Sequence, residues 1–179
     1  CYVLLLSGAI DSAEYNLTEL VNDLTVKDDA FNDVLELKGF VDEHFSSTNE
    51  EGKEAFRYYI SAELLLRQAK KTEAQALFRQ AAEQYPDVPI AHECLFRAAE
   101  IDQQLGRYEG AITAFSELST GDWGDRASTR IAEIYDLELA DSENALTWYL
   151  TVLNEYENSL LAEPVRYRIR ELTKEQELN

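Results

Sequence analysis

The stretch Thr72-Glu-Ala-Gln-Ala-Leu-Phe-Arg-Gln-Ala-Ala-Glu-Gln-Tyr-Pro86 recurs along the chain, with substitutions, as Tyr108–Leu118 and again as Ser142–Tyr156. A unit that returns at a near-constant interval is one supersecondary module that buries its apolar face against its copies. Ala62, Ala74, Phe78 and Ala81 return 37 residues later as Ala99, Ala111, Phe115 and Leu118. Ala145, Tyr149 and Val152 stand a further 34 residues on, whereas Ala132 follows Ala99 by only 33. The turn Leu137–Asp141 therefore holds one extra residue. Ala74, Leu77, Phe78, Ala81, Ala82 and Tyr85 lie at helical spacing on one stripe. Small alanines let two helices approach, and the aromatic fills the space opposite.

Ala, Leu, Glu and Gln are plentiful and β-branched residues sparse, which favours helix throughout. The fold expected is all-α, a solenoid of antiparallel helix hairpins, with about nine or ten helices. The chain has 16 basic and 35 acidic residues, a formal net charge of -19. A nucleic-acid binder needs cations to displace phosphate counterions, so that class of partner is excluded. Anionic lipid surfaces are disfavoured for the same reason. The longest apolar run, Tyr2–Leu6, falls far short of the roughly 20 residues that span a bilayer, so no direct membrane insertion is expected. The acidity is read as solubility, with a halophilic source or a basic partner as alternatives.

Residues 1–25 read as the end of a truncated repeat, because Gly8-Ala-Ile-Asp-Ser-Ala13 repeats the turn-then-alanine pattern of Gly106–Ala111. Residues 26–54 read as a divergent helix and spacer, with Thr48 and Glu51 in a capping-box pattern. Three repeats follow over 55–158, at 55–86, 90–120 and 125–157, and 159–179 reads as a C-terminal capping helix. There is no Met, so residue 1 is no initiator. The expectation is a piece of a larger chain or complex; a lipoprotein beginning at Cys1 is the other reading.

Leu95-Phe-Arg-Ala-Ala-Glu-Ile, followed by Leu105-Gly-Arg-Tyr-Glu-Gly-Ala-Ile-Thr-Ala-Phe115, resembles the tetratricopeptide repeat (TPR). Ala99, Gly106, Tyr108, Ala111 and Phe115 carry the resemblance, and Pro86 supplies the closing proline of the preceding copy. Ala69 and Lys71 replace the turn Gly and Tyr, and Glu157 stands where proline is usual. Tyr85-Pro86 and Glu133-Ile-Tyr135 look most like repeats of bacterial cell-envelope proteins, which implies a periplasmic or envelope location. The resemblance implies that the solenoid is right-handed and acts as a non-catalytic scaffold, binding a peptide or a partner protein on its concave face. The other reading is a structural subunit built permanently into an envelope or filament assembly through its ends and convex face.

Motifs for chemistry are lacking. His44 and His92 have no neighbouring ligands at metal spacing and read as exposed or helix-end residues. No phosphate-binding glycine loop and no nucleophile elbow occurs, so no cofactor and no catalytic residue is assigned. Asp28, Asp29 and Asp33 lack the spacing of a calcium loop. In the resembling family the first helix of each pair lines the binding groove. Carried onto this chain, that implies a partner-binding set of Tyr59, Glu63, Arg67, Phe96, Arg97, Glu100, Gln103, Arg130, Glu133 and Asp136. The opposing reading is that the Arg and Glu of adjacent repeats pair with each other. Arg166, Arg168, Arg170 and Lys174 read as a basic, solvated end.

Overall fold

The structure, a computed structural model, describes residues 1–177. Among these the protein is all-α, a TPR-like helical repeat without strands. It divides into two compact units, Cys1–Cys94 and Leu95–Asn179.

The first unit contains α1 (Tyr2–Leu6), α2 (Ile10–Asp23), α3 (Phe31–Val41), α4 (Glu50–Arg67) and α5 (Lys71–Gln84). Helix α1 packs on α2 and α4, α2 packs on α3, and α4 lies along α5. Ile10, Ala13 and Leu17 are the buried stripe of α2, whereas Leu20, three residues after Leu17, is 36% exposed. Phe56, Ile60 and Ala62 of α4 are buried, as are Ala74, Phe78 and Ala81 of α5. The cap of α4 is Asn49 rather than the expected Thr48. Asn49 is extended and its Oδ1 accepts from the Gly52 N–H at 2.9 Å, as a good N-cap residue does. Thr48 instead fills the space beside Gly52, where a Cβ would fall 1.9 Å from its Oγ1.

Helix α6 (Ile90–Gln104) carries the division between the units. The second unit continues with α7 (Tyr108–Glu117), α8 (Gly124–Glu133), α9 (Ser142–Glu155) and α10 (Ala162–Glu177). Phe96 and Ala99 pack with Ala111, Ala114, Phe115, Ala127, Ile131 and Ile134. Ala132, Ala145, Tyr149 and Val152 pack with Val165 and Leu172 of α10. Pro164 sits in the first turn of α10, where its missing N–H costs no helical bond.

One turn recurs in four hairpins. Gly8, Ala69, Gly106 and Ala140 have φ of +83°, +59°, +72° and +52°. Each stands five residues before a buried alanine: Ala13, Ala74, Ala111 and Ala145. At the first three, the next N–H donates to the carbonyl five residues earlier: Ala9 to Leu4, Lys70 to Leu65 and Arg107 to Asp102, at 3.0, 2.9 and 2.8 Å. This is the Schellman closure of a helix C-terminus, which requires the left-handed residue. The fourth differs. There α8 widens over Ile134–Glu138 into a π-turn, with Leu139 N donating to Ile134 O at 3.0 Å and Asp141 N to Tyr135 O at 2.7 Å. The residue inserted relative to the other copies is absorbed in this wider turn, which overlaps Leu137–Asp141, where the spacing assigned it. A second π-turn, Asp42–Ser46, ends α3.

Candidate functional site

The implied binding residues lie on the first helix of each hairpin, and in the second unit those helices are α6 and α8. Side chains three or four residues apart share a helix face, so Arg97, Glu100, Arg130 and Glu133 form rows along α6 and α8. The rows interlock. Arg97 Nη1 donates to Glu100 Oε2 at 3.0 Å, and Glu100 Oε1 accepts from Arg130 Nη2 at 3.0 Å. Arg130 Nη1 then donates to Glu133 Oε2 at 2.9 Å. Partial burial works against the Arg130 charge, but the bonds to Glu133 and Glu100 outweigh it and hold the guanidinium above its ordinary range.

One turn on, Asp136 sits in the π-turn with a side chain only 3% exposed. Arg168 of α10 forks onto it, Nε to Oδ2 at 2.7 Å and Nη2 to Oδ1 at 2.8 Å. The Tyr149 hydroxyl donates to the same carboxylate at 3.1 Å. Burial, and then the Asp136 charge, push the Tyr149 hydroxyl well above its ordinary pKa. A bidentate pair at a buried carboxylate fixes geometry as well as charge.

Two adjoining cavities open on this face, sharing Thr129 and Glu133. The first, about 220 Å³, is lined by Phe96, Arg126, Thr129, Arg130, Glu133 and Leu161. The second, about 230 Å³, lies between Leu137, Tyr149, Pro164, Val165 and Arg168. Phe96, expected to stand on the face, is 2% exposed and forms the floor of the first cavity. Gln103 is half-buried on α6, one turn beyond Glu100.

In the first unit Tyr59 lies in an aromatic cluster, with ring centroids 5.5 Å from Phe40, 6.3 Å from Phe56 and 5.4 Å from Phe78. Arg67 lies 4.6 Å from the centre of the Tyr2 ring and donates to the Tyr2 hydroxyl at 2.6 Å. Glu63 is half-buried on α4.

Two residues of the second unit escaped the sequence reading. Arg168 was grouped with a basic, solvated end; it is instead 29% exposed and locked on Asp136. Arg126 was not singled out, although it precedes Arg130 by one helical turn, the one signal that marks it. Its guanidinium carbon lies 4.7 Å from the Phe96 ring centre and 4.5 Å from that of Trp123.

His92 is exposed and His44 stands at a helix end, the two alternatives expected, but His44 is largely covered. Its side chain is 11% exposed on the Asp42–Ser46 π-turn, against Phe40 and Phe56, and Nδ1 is buried without a hydrogen-bond partner. Burial lowers its pKa below the ordinary value, and Glu43 offsets this in part. Burial, with a smaller contribution from Glu93, raises the Cys94 thiol well above its ordinary range. Asp28 caps its own turn, accepting from the Thr25 N–H and hydroxyl at 2.7 and 2.8 Å. Among the described residues no group of three or more His, Cys, Asp and Glu is placed to hold a metal ion. Nor is any helix among them long and apolar enough to cross a membrane.

A family model described as tetratricopeptide repeat matches residues 58–87, the second half of α4 and all of α5. This supports a tetratricopeptide repeat protein, and such repeats generally mediate protein–protein interactions and are typically non-catalytic. No curated protein and no solved structure matches the chain.

Proposed function

We propose that the protein is a non-catalytic scaffold whose second unit binds a peptide or partner protein along the face of α6, α8 and α10. The observation that carries this reading is the pair of adjoining cavities framed by the Arg97–Glu100–Arg130–Glu133 chain and the Arg168–Asp136 fork. The more solvent-open pairs, such as Arg130–Glu133 at 41% and 31% side-chain exposure, contribute little to stability, so their ordering supports complementarity to a ligand. The apolar floor of Phe96 and Leu161, and the Pro164–Val165 wall, supply the area to be desolvated on binding. In the first unit the corresponding residues are Tyr59, Glu63 and Arg67, of which Tyr59 and Arg67 are held by the contacts described above. The envelope location belongs to the same proposal and rests on the Tyr85-Pro86 and Glu133-Ile-Tyr135 patterns.

Changing both Arg97 and Arg130 to Glu places like charges beside Glu100 and Glu133 and should abolish partner binding. Thr129→Trp provides an independent check, because it fills the space shared by the two cavities and leaves the ion pairs in place. Binding to a partner purified with the protein from its native source should fall at least tenfold for both variants, measured by titration calorimetry. Unchanged affinity in both would refute the reading.

The structural-subunit reading is favoured by one observation, the 79% exposure of Val3 on α1. If it holds, Val3→Glu dissociates the assembly in size-exclusion chromatography while the double arginine variant leaves it intact.

A further inference from the structure

We propose that the binding face selects an extended segment carrying an acidic side chain, whose carboxylate docks on Arg126 while a neighbouring apolar side chain enters the cavity over Phe96 and Leu161. The inference rests on the scaffold reading given above and names the chemistry of the partner. The carboxylates of the face are already engaged: Glu100 and Glu133 by Arg130, and Asp136 by Arg168 and Tyr149. The arginines opposite them are engaged by the same bonds. Arg126 differs. Among the described residues its guanidinium has no carboxylate partner and no hydrogen bond, and only the rings of Phe96 and Trp123 contact it.

The two rings, with centroids 5.2 Å apart and planes inclined at 44°, lie to one side of the guanidinium, which leaves N–H groups on its other side for the fork that matches a carboxylate. Two aromatic rings also hold the side chain in place, so less rotamer freedom is lost when a ligand binds. The cavity that Arg126 borders has two arginines and one glutamate in its lining. Local charge is therefore positive on a chain whose net charge is -19. A basic segment would meet the repulsion of Arg126 without gaining an unpaired carboxylate.

The overall charge has a kinetic consequence that is testable. An acidic segment is repelled at long range and held only at contact. Salt shortens the screening length from about 30 Å at 0.01 M to about 8 Å at 0.15 M, so it weakens the repulsion before it reaches the stacked contact. Association should therefore speed up as salt rises, opposite to the behaviour of a basic ligand.

The experiment uses the full chain and a randomised library of nonapeptides blocked at both ends, so that no terminal carboxylate is present. Expected are enrichment of Asp or Glu beside an apolar residue, and association rates that rise with salt. Arg126→Gln should weaken the selected peptides at least fivefold, and Arg126→Glu should shift the selection toward Lys and Arg. Circular dichroism of each variant checks that the exposed substitution leaves the fold unchanged. Binding with no acidic preference, or with a preference that survives Arg126→Gln, overturns this inference and leaves the scaffold reading standing. Failure of every peptide to bind, with the native partner still captured and released by Thr129→Trp, overturns the extended-segment inference alone. Failure of both overturns the scaffold reading.

Discussion

Ala69 and Ala140 occupy a backbone region that costs an L-residue with a Cβ about 1–2 kcal/mol. Gly8 and Gly106 hold the same turn without that cost. Replacing Ala69 by Gly should therefore stabilise the protein, by about 0.5–1 kcal/mol after the greater freedom of glycine in the unfolded chain is deducted. Urea unfolding measures the gain, and Ala140→Gly should behave alike. Asp136 gives the opposite case. With Arg168→Gln, a buried carboxylate loses both bonds of its fork and keeps only Tyr149; the expected loss is about 2 kcal/mol, by the same measurement. His44 titrates with a definite sign. Its folded pKa lies below the unfolded value of 6.5. Above pH 6.5 both states are neutral and the residue adds no pH dependence. Below it the unfolded state takes up the proton first, so stability falls as pH falls toward the folded pKa. His44→Phe should remove that part of the acid slope that sets in below about pH 6.5, read as the difference between two unfolding-versus-pH curves.

Close packing of helices sets what each element tolerates. At the start of α8, a Cβ on Gly124 would lie 1.8 Å from the Tyr156 hydroxyl oxygen and 2.9 Å from the Ser119 carbonyl oxygen, and Tyr156 donates to that same carbonyl at 2.7 Å. Gly124→Ala should cost about 2 kcal/mol by forcing this contact apart. Gly39, inside α3 with nothing within 4 Å, should instead gain about 0.5–1 kcal/mol on the same change. Thermal unfolding of the pair separates packing from propensity. The hairpins themselves were legible, because a small residue five positions after a turn glycine is a strong local signal. The turns at Ala69 and Ala140 were placed only by register with the other copies, since neither position holds a glycine to mark its left-handed backbone. For the proposed face, only the register of its residues could be read. Spacing put Glu100, Arg130 and Glu133 in rows, but which arginine meets which carboxylate depends on how α6, α8 and α10 pack. Arg126 escaped notice because Phe96, half of its platform, comes from α6; only Trp123, three residues before it, is joined to it by helical spacing.

For the molecule as a whole, an excess of 19 negative charges must be held in a helical fold. Self-repulsion of this size favours expansion, and salt relieves it. The melting temperature should rise by several degrees from about 0.01 M to about 1 M sodium chloride, where the Debye length falls from about 30 to about 3 Å. A falling melting temperature would mean that ion pairs such as Arg130–Glu100 outweigh the general repulsion. The π-turn at Ile134–Glu138 bears on how such an array can change over time. Because the surplus residue is taken up inside the turn where it occurs, Ala132 and Ala145 still meet in one core. A length error is cancelled locally instead of being passed to the next copy, so the phase of a repeat array can outlast the loss of its exact sequence period.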